Sequence, residues 1–406
     1  MTIKALYPTV RPSLNLDFAK TKALDPRVTF TRASTATFVG SNGLIQTAAS
    51  GAARFDHNPT TGESLGLLVE EARTNLHVGS TTNALNAGIA GLTQGSASIV
   101  DPTGATSTVE TWAVDTSTGN HSGYRFYNNT YVDNTYSLFV KSNGITRIQV
   151  SANQRDNSTY IDVDLISGSI ISTSDNRATA TKLANGWVRI SSSAAADRAH
   201  GPGFWLLDSS GNRSFTGNGT SGVYVWGMQL EQASGALFPT SYIPTSGSTV
   251  TRAADVASMT GTNFSSWNNP TAGTFVSNFR AQSPATFSIN GAGGSGDRLI
   301  FFEDAGIRIR QQLVTAGSLV YDSTPTTVYS KTASNKFAFA LASGSQASAL
   351  NGTVGGTGAA TSIFTPTSMQ IGRETAFGSY LNGSVARLAY YPVRLPDAQL
   401  QALTAT

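Results

Sequence analysis

The sequence has no cysteine, and only 13% of its 406 residues are charged. The lack of cysteine excludes disulfides, thiolate catalysis and zinc ribbons. The charged fraction is about half of the roughly 25% that soluble proteins usually carry. With few charges and 40 glycines, the composition favours strands and turns over long surface helices. The net charge of +3 comes without any cluster of Lys and Arg, so we expect no nucleic-acid partner.

Long apolar runs are lacking as well. No stretch of about 18 apolar residues occurs, which predicts that the chain does not insert into a membrane. The beginning of the chain lacks the apolar centre of a secretory signal peptide, so we expect a soluble protein made in a cytoplasm. No repeat with a period of about 20 to 50 residues recurs, which excludes solenoids and propellers.

Short segments that alternate between apolar and polar residues predict an all-β chain. In the segment YIDVDL, Ile161, Val163 and Leu165 alternate with Asp162 and Asp164, as in a strand with one buried face. Similar segments recur roughly every 10 to 20 residues, separated by Gly, Asn and Ser. This spacing is typical of β-sandwiches.

Changes in composition along the chain predict four parts. Residues 1–80 are rich in turns and form an N-terminal β region, residues 81–245 form one β-sandwich, and residues 270–406 form a second. Residues 246–269 follow two prolines and are rich in Ser, Gly and Thr, which indicates a linker. The ending RLPDAQLQALT predicts one short helix that packs on the second sandwich.

The stretch ARFDHNPTTGESLGLLVEEARTNL is rich in charge for this chain and raises the question of a metal loop. Asp56, Asn58 and Thr60 have the spacing of the first half of a calcium loop. An EF-hand then needs Gly and a bidentate acid at later positions that are occupied here by Thr61 and Leu67, which excludes it. A different calcium site stays open, but we favour a hairpin turn in which Asp56 and Asn58 bond their own backbone.

Histidine gives no sign of a metal centre. No two histidines have the spacing of a zinc or iron pair, so we expect no metal and no cofactor. The four are scattered along the chain: His57, His77, His121 and His200.

Paired carboxylates are candidate catalytic groups. A glycan-cleaving enzyme needs two of them about 5 to 10 Å apart. Asp162 and Asp164 lie side by side on a predicted strand, but sandwich surfaces commonly carry such pairs. Glu70, Glu71 and Arg73 are interpreted as a surface ion pair. Because no G-x-S-x-G nucleophile motif is present either, we expect no catalytic residues.

Aromatic residues among polar ones suggest a sugar site. Trp112, Tyr124, Tyr127 and Tyr131 lie in a segment rich in Asn, Asp and Thr, whose side chains can bond hydroxyl groups. We predict these four as ligand-binding residues. The alternative is that Trp112 and every second aromatic residue belong to the core. Three further tryptophans lie inside predicted strands and are assigned to the core: Trp187, Trp205 and Trp226.

Three segments carry a resemblance to known families. Residues 24–76 resemble an N-terminal block common in structural proteins of tailed bacteriophages and in prophage fibres. Residues 223–261 resemble the last strand and exit linker of carbohydrate-binding-module-like jelly rolls that accompany that block. Residues 380–403 resemble the last strands and terminal helix of concanavalin A/laminin G-like sandwiches.

This resemblance implies a protein of the virion. The expected role is that of a tail-fibre or tail-tip receptor-binding protein that recognises host-surface glycans without catalysis. The resemblance also implies a homotrimer whose N-terminal region docks to other virion proteins. Two alternatives stay open, namely a head- or neck-attached decoration or spike protein and a glycan depolymerase.

Overall fold

The computed structural model describes residues 7–81, 88–124, 133–152, 159–195, 202–232, 235, 237–283, 285–304 and 306–405. In these ranges the chain forms 32 strands and three short helices, which confirms the predicted all-β class. Most of these strands assemble into two β-sandwiches, and four of them form two separate two-stranded sheets. No helix in the described ranges is long and apolar enough to cross a membrane.

The N-terminal segment, residues 7–81, consists of short elements. They are β1 (Leu14–Asp17), α1 (Phe18–Thr21), β2 (Thr29–Thr31), β3 (Ala36–Val39), β4 (Ile45–Ala48), β5 (Arg54–His57), β6 (Ser64–Val69) and β7 (Arg73–Asn75). Strands β3 and β4 form a hairpin, and β5 pairs with β6. Strands β1, β2, β6 and β7 all pair with strands much further along the chain.

The first sandwich, residues 88–232, has two antiparallel sheets. Its strands are β8 (Gly88–Ala90), β9 (Leu92–Val100), β10 (Thr106–Val114), β11 (Thr118–Tyr124), β12 (Asn134–Asn143), β13 (Arg147–Ser151), β14 (Tyr160–Asp164), β15 (Ile170–Thr173), β16 (Thr179–Lys182), β17 (Val188–Ala194), β18 (Gly203–Leu207), β19 (Ser214–Thr216) and β20 (Gly222–Gln232). One sheet has the order β16-β17-β12-β20-β10-β9, and the other β15-β14-β13-β18-β11-β19, with β8 also on β11. Ile161, Val163 and Leu165 are buried in the core between the sheets, as their alternation predicted.

The second sandwich is built mainly from the C-terminal half. That half contains β21 (Val250–Arg252), β22 (Val256–Thr260), α2 (Thr262–Ser265), β23 (Ala272–Ala281), β24 (Phe287–Gly291), β25 (Gly294–Glu303), β26 (Ile309–Thr315), β27 (Ser318–Ser323), β28 (Asn335–Ala342), β29 (Ser345–Leu350), β30 (Thr353–Gly358), β31 (Pro366–Ile371), β32 (Gly383–Tyr391) and α3 (Asp397–Thr404). One sheet has the order β30-β29-β28-β23-β32-β6-β5, with β1 also on β32, and the other β2-β22-β31-β24-β25-β26-β27. Phenylalanine rings fill the space between them, with Phe275 stacked on Phe287 at 4.6 Å.

The N-terminal segment is therefore part of the second sandwich. In β1, Leu14 pairs with Tyr390 of β32, and in β6 Val69 pairs with Gly383 of the same strand. Strands from residues 1–80, predicted as an N-terminal β region, thus belong to a sheet of the second sandwich. The predicted linker 246–269 contains β21, β22 and α2, and β22 belongs to the other sheet of the sandwich. The physical reason is that β1 and β6 bury apolar side chains such as Leu14 and Val69 in the core of the second sandwich, whereas Ile45 of β4 packs on the first sandwich.

The terminal helix α3 agrees with the sequence prediction. It begins directly after Pro396, whose fixed φ suits the start of a helix. Leu400 is fully buried against small residues of the neighbouring sheet, among them Ala338 and Ala340. The helix covers the outer side of one sheet of the second sandwich, as expected.

Candidate functional site

The charge-rich stretch contains the predicted turn, but only one of its two polar residues acts as predicted. The Asn58 side-chain oxygen accepts hydrogen bonds from the backbone N–H groups of Thr60 (2.9 Å) and Thr61 (3.1 Å). Asp56 instead accepts the N–H of Val39 on the neighbouring hairpin at 2.7 Å. Burial raises the pKa of Asp56 to about 6. Among the described residues, no group of three or more His, Asp or Glu could hold a metal ion.

Glu70 belongs to a buried ion-pair network, which corrects the predicted surface ion pair. Its carboxylate lies 2.8 Å from the guanidinium of Arg54 and also pairs with Arg252. Asp255 pairs with Arg54 as well and lies 3.0 Å from Arg32. Burial alone would raise the pKa of Glu70, but the positive charges of Arg252 and Arg54 outweigh burial and hold it well below its usual range.

The network joins three parts of the chain. Glu70 of the N-terminal segment accepts two hydrogen bonds of 2.7 Å from Ser241, in the segment that leaves the first sandwich. Arg252 and Asp255 come from the start of the C-terminal half. The next residue, Glu71, donates its backbone N–H to Asn382 of the second sandwich at 2.9 Å. The network therefore fixes how the exit of the first sandwich sits against the second.

A cleft of about 580 Å³ opens beside this junction, between the two sandwiches. Its volume is in the range of small-molecule sites, which often lie at domain interfaces. The first sandwich and its exit segment contribute one wall, the second sandwich contributes the other, and Glu71 lies at the junction. The lining residues are Glu71, 176–179, 235, 237–238, 282–283, 303–304, 331–332, 379–380 and 382.

Each wall of the cleft carries one aromatic ring. Phe238 belongs to the exit of the first sandwich and Tyr380 to a loop of the second, and both are half-buried. The guanidinium of Arg73 lies 5.2 Å from the centre of the Phe238 ring, and that of Arg373 lies 5.2 Å from the centre of the Tyr380 ring. Both rings are thus held in place by a neighbouring cation. Burial raises the pKa of the Tyr380 hydroxyl, which keeps it a hydrogen-bond donor.

Charged groups in the cleft are paired with each other or with neighbours. Glu303 lies 2.9 Å from Lys331 and also accepts the hydroxyl of Tyr329. Burial and the adjacent Glu303 raise the pKa of the Tyr329 hydroxyl. Asp304 pairs with Arg308, which together with other hydrogen bonds lowers the pKa of Asp304. These pairs place donors and acceptors on the walls, where they could bond hydroxyl groups of a ligand.

The two predicted ligand-binding residues that the structure describes, Trp112 and Tyr124, do not line this cleft. Trp112 is 0% exposed and stacks on Phe204 at 4.0 Å in the core of the first sandwich, so its ring offers no face to a ligand. The alternative core interpretation is correct for this residue. Tyr124 is half-buried at the end of β11. Tyr127 and Tyr131 lie outside the described residues.

The other predicted core tryptophans are buried. Trp187 is fully buried, and Trp205 and Trp226 are each 6% exposed. Phe204 and Leu206 lie in the core of the first sandwich, and successive side chains of a strand point to opposite faces of the sheet. Trp205, which lies between them, therefore points away from that core. The guanidinium of Arg213 covers it, 4.1 Å from the ring centre.

The two candidate catalytic carboxylates, Asp162 and Asp164, have structural partners. Asp162 receives hydrogen bonds from the guanidinium of Arg147, at 3.0 Å from Nε. Asp164 accepts the backbone N–H groups of Ile166 (2.9 Å) and Ser167 (2.7 Å) in a turn. The bonds from Ser167 and Ile166 lower the pKa of Asp164. Neither residue lines the cleft.

Sequence reasoning missed the cleft itself. Its lining comes from separate segments, each of which contributes one to four residues, and no motif joins them. Only Glu71 had been singled out, as part of a surface ion pair, and its carboxylate does pair with Arg73 at 2.6 Å. The pairing of the N-terminal segment with the second sandwich brings Glu71 to the cleft, and the sequence does not reveal that pairing.

Comparison with known proteins adds structural likeness only. Neither the protein-family models nor the curated proteins compared with this chain gave a match. Among solved structures, the chain is similar to the CBM40 of the Ruminococcus gnavus IT-sialidase bound to alpha2,6 sialyllactose. The identity is 20%, the match covers 35% of this chain and 88% of that chain, and the TM-score is 0.30.

Two further solved structures are similar to parts of the chain. For domains LG4-5 of the mouse laminin alpha1 chain, the identity is 11%, the coverage is 68% of this chain and 90% of that chain, and the TM-score is 0.22. For the SAP-like pentraxin from Limulus polyphemus, the identity is 14%, the coverage is 32% of this chain and 68% of that chain, and the TM-score is 0.25. With TM-scores this low, the description of the fold depends on the sheet order given above.

Proposed function

We propose that this chain is a non-catalytic glycan-recognition protein of a bacteriophage particle, in which the cleft between the sandwiches binds a saccharide of the host surface. The observation that carries the proposal is the pair of half-buried rings, Phe238 and Tyr380, on opposite walls of a cleft of about 580 Å³. A sugar ring has apolar faces and a hydroxyl rim, and aromatic rings next to polar groups complement both.

The polar groups of the cleft suit hydroxyl ligands. The carboxylate of Glu303 and the ammonium of Lys331, 2.9 Å apart, offer an acceptor and a donor side by side. Arg177 on the opposite wall pairs with Asp175 through Nε at 3.2 Å, and its planar guanidinium presents further N–H groups. A neutral or weakly charged saccharide could bond to both walls at once.

The state of the carboxylates favours binding over hydrolysis. A glycosidase needs one carboxyl group that donates a proton and a second that acts as nucleophile or base. Of the three carboxylates that line the cleft, Glu71 pairs with Arg73, Glu303 with Lys331 and Asp304 with Arg308. The hydrogen bond from Arg308 lowers the pKa of Asp304, which favours the ionised form of this carboxyl group, and that is the wrong form for a proton donor.

The virion assignment depends on the resemblance of residues 24–76 to the N-terminal block of phage structural proteins. We propose that the chain is part of a tail fibre or tail tip and forms a homotrimer that docks to other virion proteins through this region. Linked copies would raise the avidity of weak single sites by roughly 10² to 10⁴. Labelled particles seen by electron microscopy would distinguish a tail position from a head or neck decoration, and the mass in solution would test the trimer.

The binding proposal is tested on an array of bacterial O-antigen, capsular and wall polysaccharides. We expect wild-type protein to bind at least one of them and Tyr380→Ala and Phe238→Ala each to weaken binding about tenfold, as loss of an aromatic contact implies. Tyr7→Ala, at an exposed tyrosine outside the cleft, is the matched control and should bind like wild type.

Two results would overturn the proposal. If no polysaccharide binds while the protein docks tightly to phage heads, the structural decoration role is correct instead. If incubation with a bound polysaccharide releases new reducing ends, the protein is a depolymerase and the non-catalytic assignment is wrong.

A further inference from the structure

Phe377 is the most exposed large apolar side chain in the described part of the molecule, with 62% of its surface accessible. It lies in the loop between β31 and β32. Its ring meets the edge of Phe302 on β25 at a centroid distance of 5.5 Å and an angle of 66°. The two rings form a small apolar platform on the outer surface of the second sandwich.

The loop holds Phe377 in a fixed position. Glu374 is 0% exposed, and its carboxylate accepts the backbone N–H groups of Ala376 (2.8 Å), Phe377 (2.9 Å) and Ser379 (2.7 Å). A buried carboxylate that accepts several backbone donors fixes the path of the chain around it. The ring is therefore exposed to solvent on a preorganised loop. Binding of a ligand to this ring needs little further ordering of the loop, so the entropy cost is small.

The platform adjoins the cleft. Phe302 precedes the cleft residue Glu303, and Phe377 lies two positions before the cleft residue Ser379. Two residues of chain span at most about 7 Å, so the backbone of each platform residue lies within that distance of a residue that lines the cleft. Arginines flank the platform, with the guanidinium carbon of Arg298 5.8 Å from the Phe377 ring centre and that of Arg310 5.7 Å from the Phe302 ring centre.

On the basis of the proposed function, we infer that Phe377 is an outer subsite of the cleft. The ligand is then an extended polysaccharide chain that continues from the cleft across the Phe377 ring. A protein partner fits less well, because one aromatic side chain buries about 150–250 Å², against roughly 800 Å² per partner in a stable interface. A further sugar ring, by contrast, needs only one flat apolar face with hydrogen-bond donors beside it.

The test compares ligands of different length. Bacterial O-antigen, capsular and wall polysaccharides are partially hydrolysed, fractionated by length and titrated against wild type, Phe377→Ala and Tyr380→Ala by calorimetry. The control is Ile166→Ala, which removes a side chain of similar exposure (58%) on the first sandwich. Thermal unfolding of each variant checks that it is folded.

We expect wild type to bind long fragments more tightly than short ones. Phe377→Ala should weaken binding of the long fragments about tenfold and leave short fragments unchanged, as removal of one aromatic contact implies. Tyr380→Ala should weaken binding of both, and Ile166→Ala should weaken neither. If Phe377→Ala loses equal affinity for short and long fragments, or loses none, Phe377 is not an outer subsite, while the proposed function stays intact. If wild type binds no fragment, the proposed function itself is wrong, and the subsite with it.

Discussion

Glu70 and Ser241, 171 positions apart in the chain, are joined by two hydrogen bonds of 2.7 Å from the Ser241 N–H and hydroxyl to the Glu70 carboxylate. The same carboxylate balances the charges of Arg54 and Arg252. One buried side chain thus connects the N-terminal segment, the exit of the first sandwich and the start of the C-terminal half. Its removal should affect the whole junction.

Glu70→Gln keeps the shape of the side chain but removes its charge. We expect a loss of about 3–5 kcal/mol in the free energy of unfolding, because the buried guanidinium of Arg252 then lacks its counter-charge and that of Arg54 keeps only Asp255, which it shares with Arg32. Glu71→Gln is the matched control, since the Glu71 side chain is 24% exposed although its partner Arg73 is buried, and we expect a smaller loss than in Glu70→Gln. Denaturant titration measures both, and equal losses in the two variants would argue against a buried network.

Asp56 should make stability depend on pH in the direction opposite to most carboxylates. Its pKa of about 6 in the folded protein lies above the ordinary value of roughly 3.9, so the folded chain binds more protons between these values. Stability contributed by this group therefore falls as pH rises from about 4 to 6 and is constant above that window.

Asp56→Asn removes this dependence. We expect the variant to be more stable than wild type by roughly 1–3 kcal/mol at pH 7.5 and equal to it at pH 4, because each unit of pKa shift corresponds to about 1.4 kcal/mol. Urea titrations across this range measure the difference. A difference that does not change with pH would show that Asp56 ionises normally.

Gly66 tests the pairing of the N-terminal segment with the second sandwich. It has a positive φ of 93°, and a Cβ atom there would lie 2.1 Å from the carbonyl oxygen of Val385 on β32. We expect Gly66→Ala to cost about 1–3 kcal/mol more than Gly51→Ala, because overpacking adds to backbone strain. Gly51 is the matched control, with φ of 74° and no atom within 4 Å of its added Cβ. Thermal and urea unfolding compare the two, and similar costs would place β6 away from β32.

Thr332 allows the cleft to be blocked without touching its rings. It is exposed and lines the cleft, whereas Ser334 is exposed two positions later and does not. We expect Thr332→Trp to abolish polysaccharide binding, because the indole fills the opening, and Ser334→Trp to bind like wild type. Both should unfold at the wild-type temperature. If Thr332→Trp binds polysaccharide as wild type does, the ligand does not bind in the cleft.

Removal of residues 1–80 should prevent the second sandwich from folding. The truncated chain loses β1, β2, β5 and β6 together with the core side chains Leu14, Leu16, Phe18 and Leu67. Residues 77–245 alone, in contrast, keep every buried residue of the core between the sheets of the first sandwich. We expect dispersed amide signals in NMR spectra of this fragment and collapsed signals in those of residues 246–406. Dispersed signals from residues 246–406 would show that the second sandwich folds without the N-terminal segment.

The first sandwich was predictable because its information is local. Alternation within single strands, as in Ile161, Val163 and Leu165, identifies a buried face without knowledge of the partner strand. Which segments of the chain form the second sandwich was not predictable in the same way. Strands of three or four residues, such as β1 and β2, show too little alternation to reveal that their partners lie hundreds of residues away.

The candidate site was less predictable than the fold. A cluster of aromatic residues drew attention to Trp112, but position within a strand decides which rings are buried, and this one faces the core. Phe238 and Tyr380 gave no signal, since each is a single ring in an irregular segment. Likewise the charge of Glu70 suggested a surface position, because Arg252, one of the two arginines that permit its burial, is 182 positions away in the sequence.

The pairing of β1 with β32 has a consequence for biosynthesis. Asn15 and Arg387, joined by a hydrogen bond of 2.8 Å, are 372 positions apart. At about 5–20 residues per second, the ribosome needs roughly 20 to 75 s to deliver the second after the first. Until then β1 has no partner strand. The first sandwich, which lies between β1 and β32 in the sequence, can already fold. Only a chain translated beyond β32 can close the second sandwich, so a product interrupted before that strand has no complete cleft.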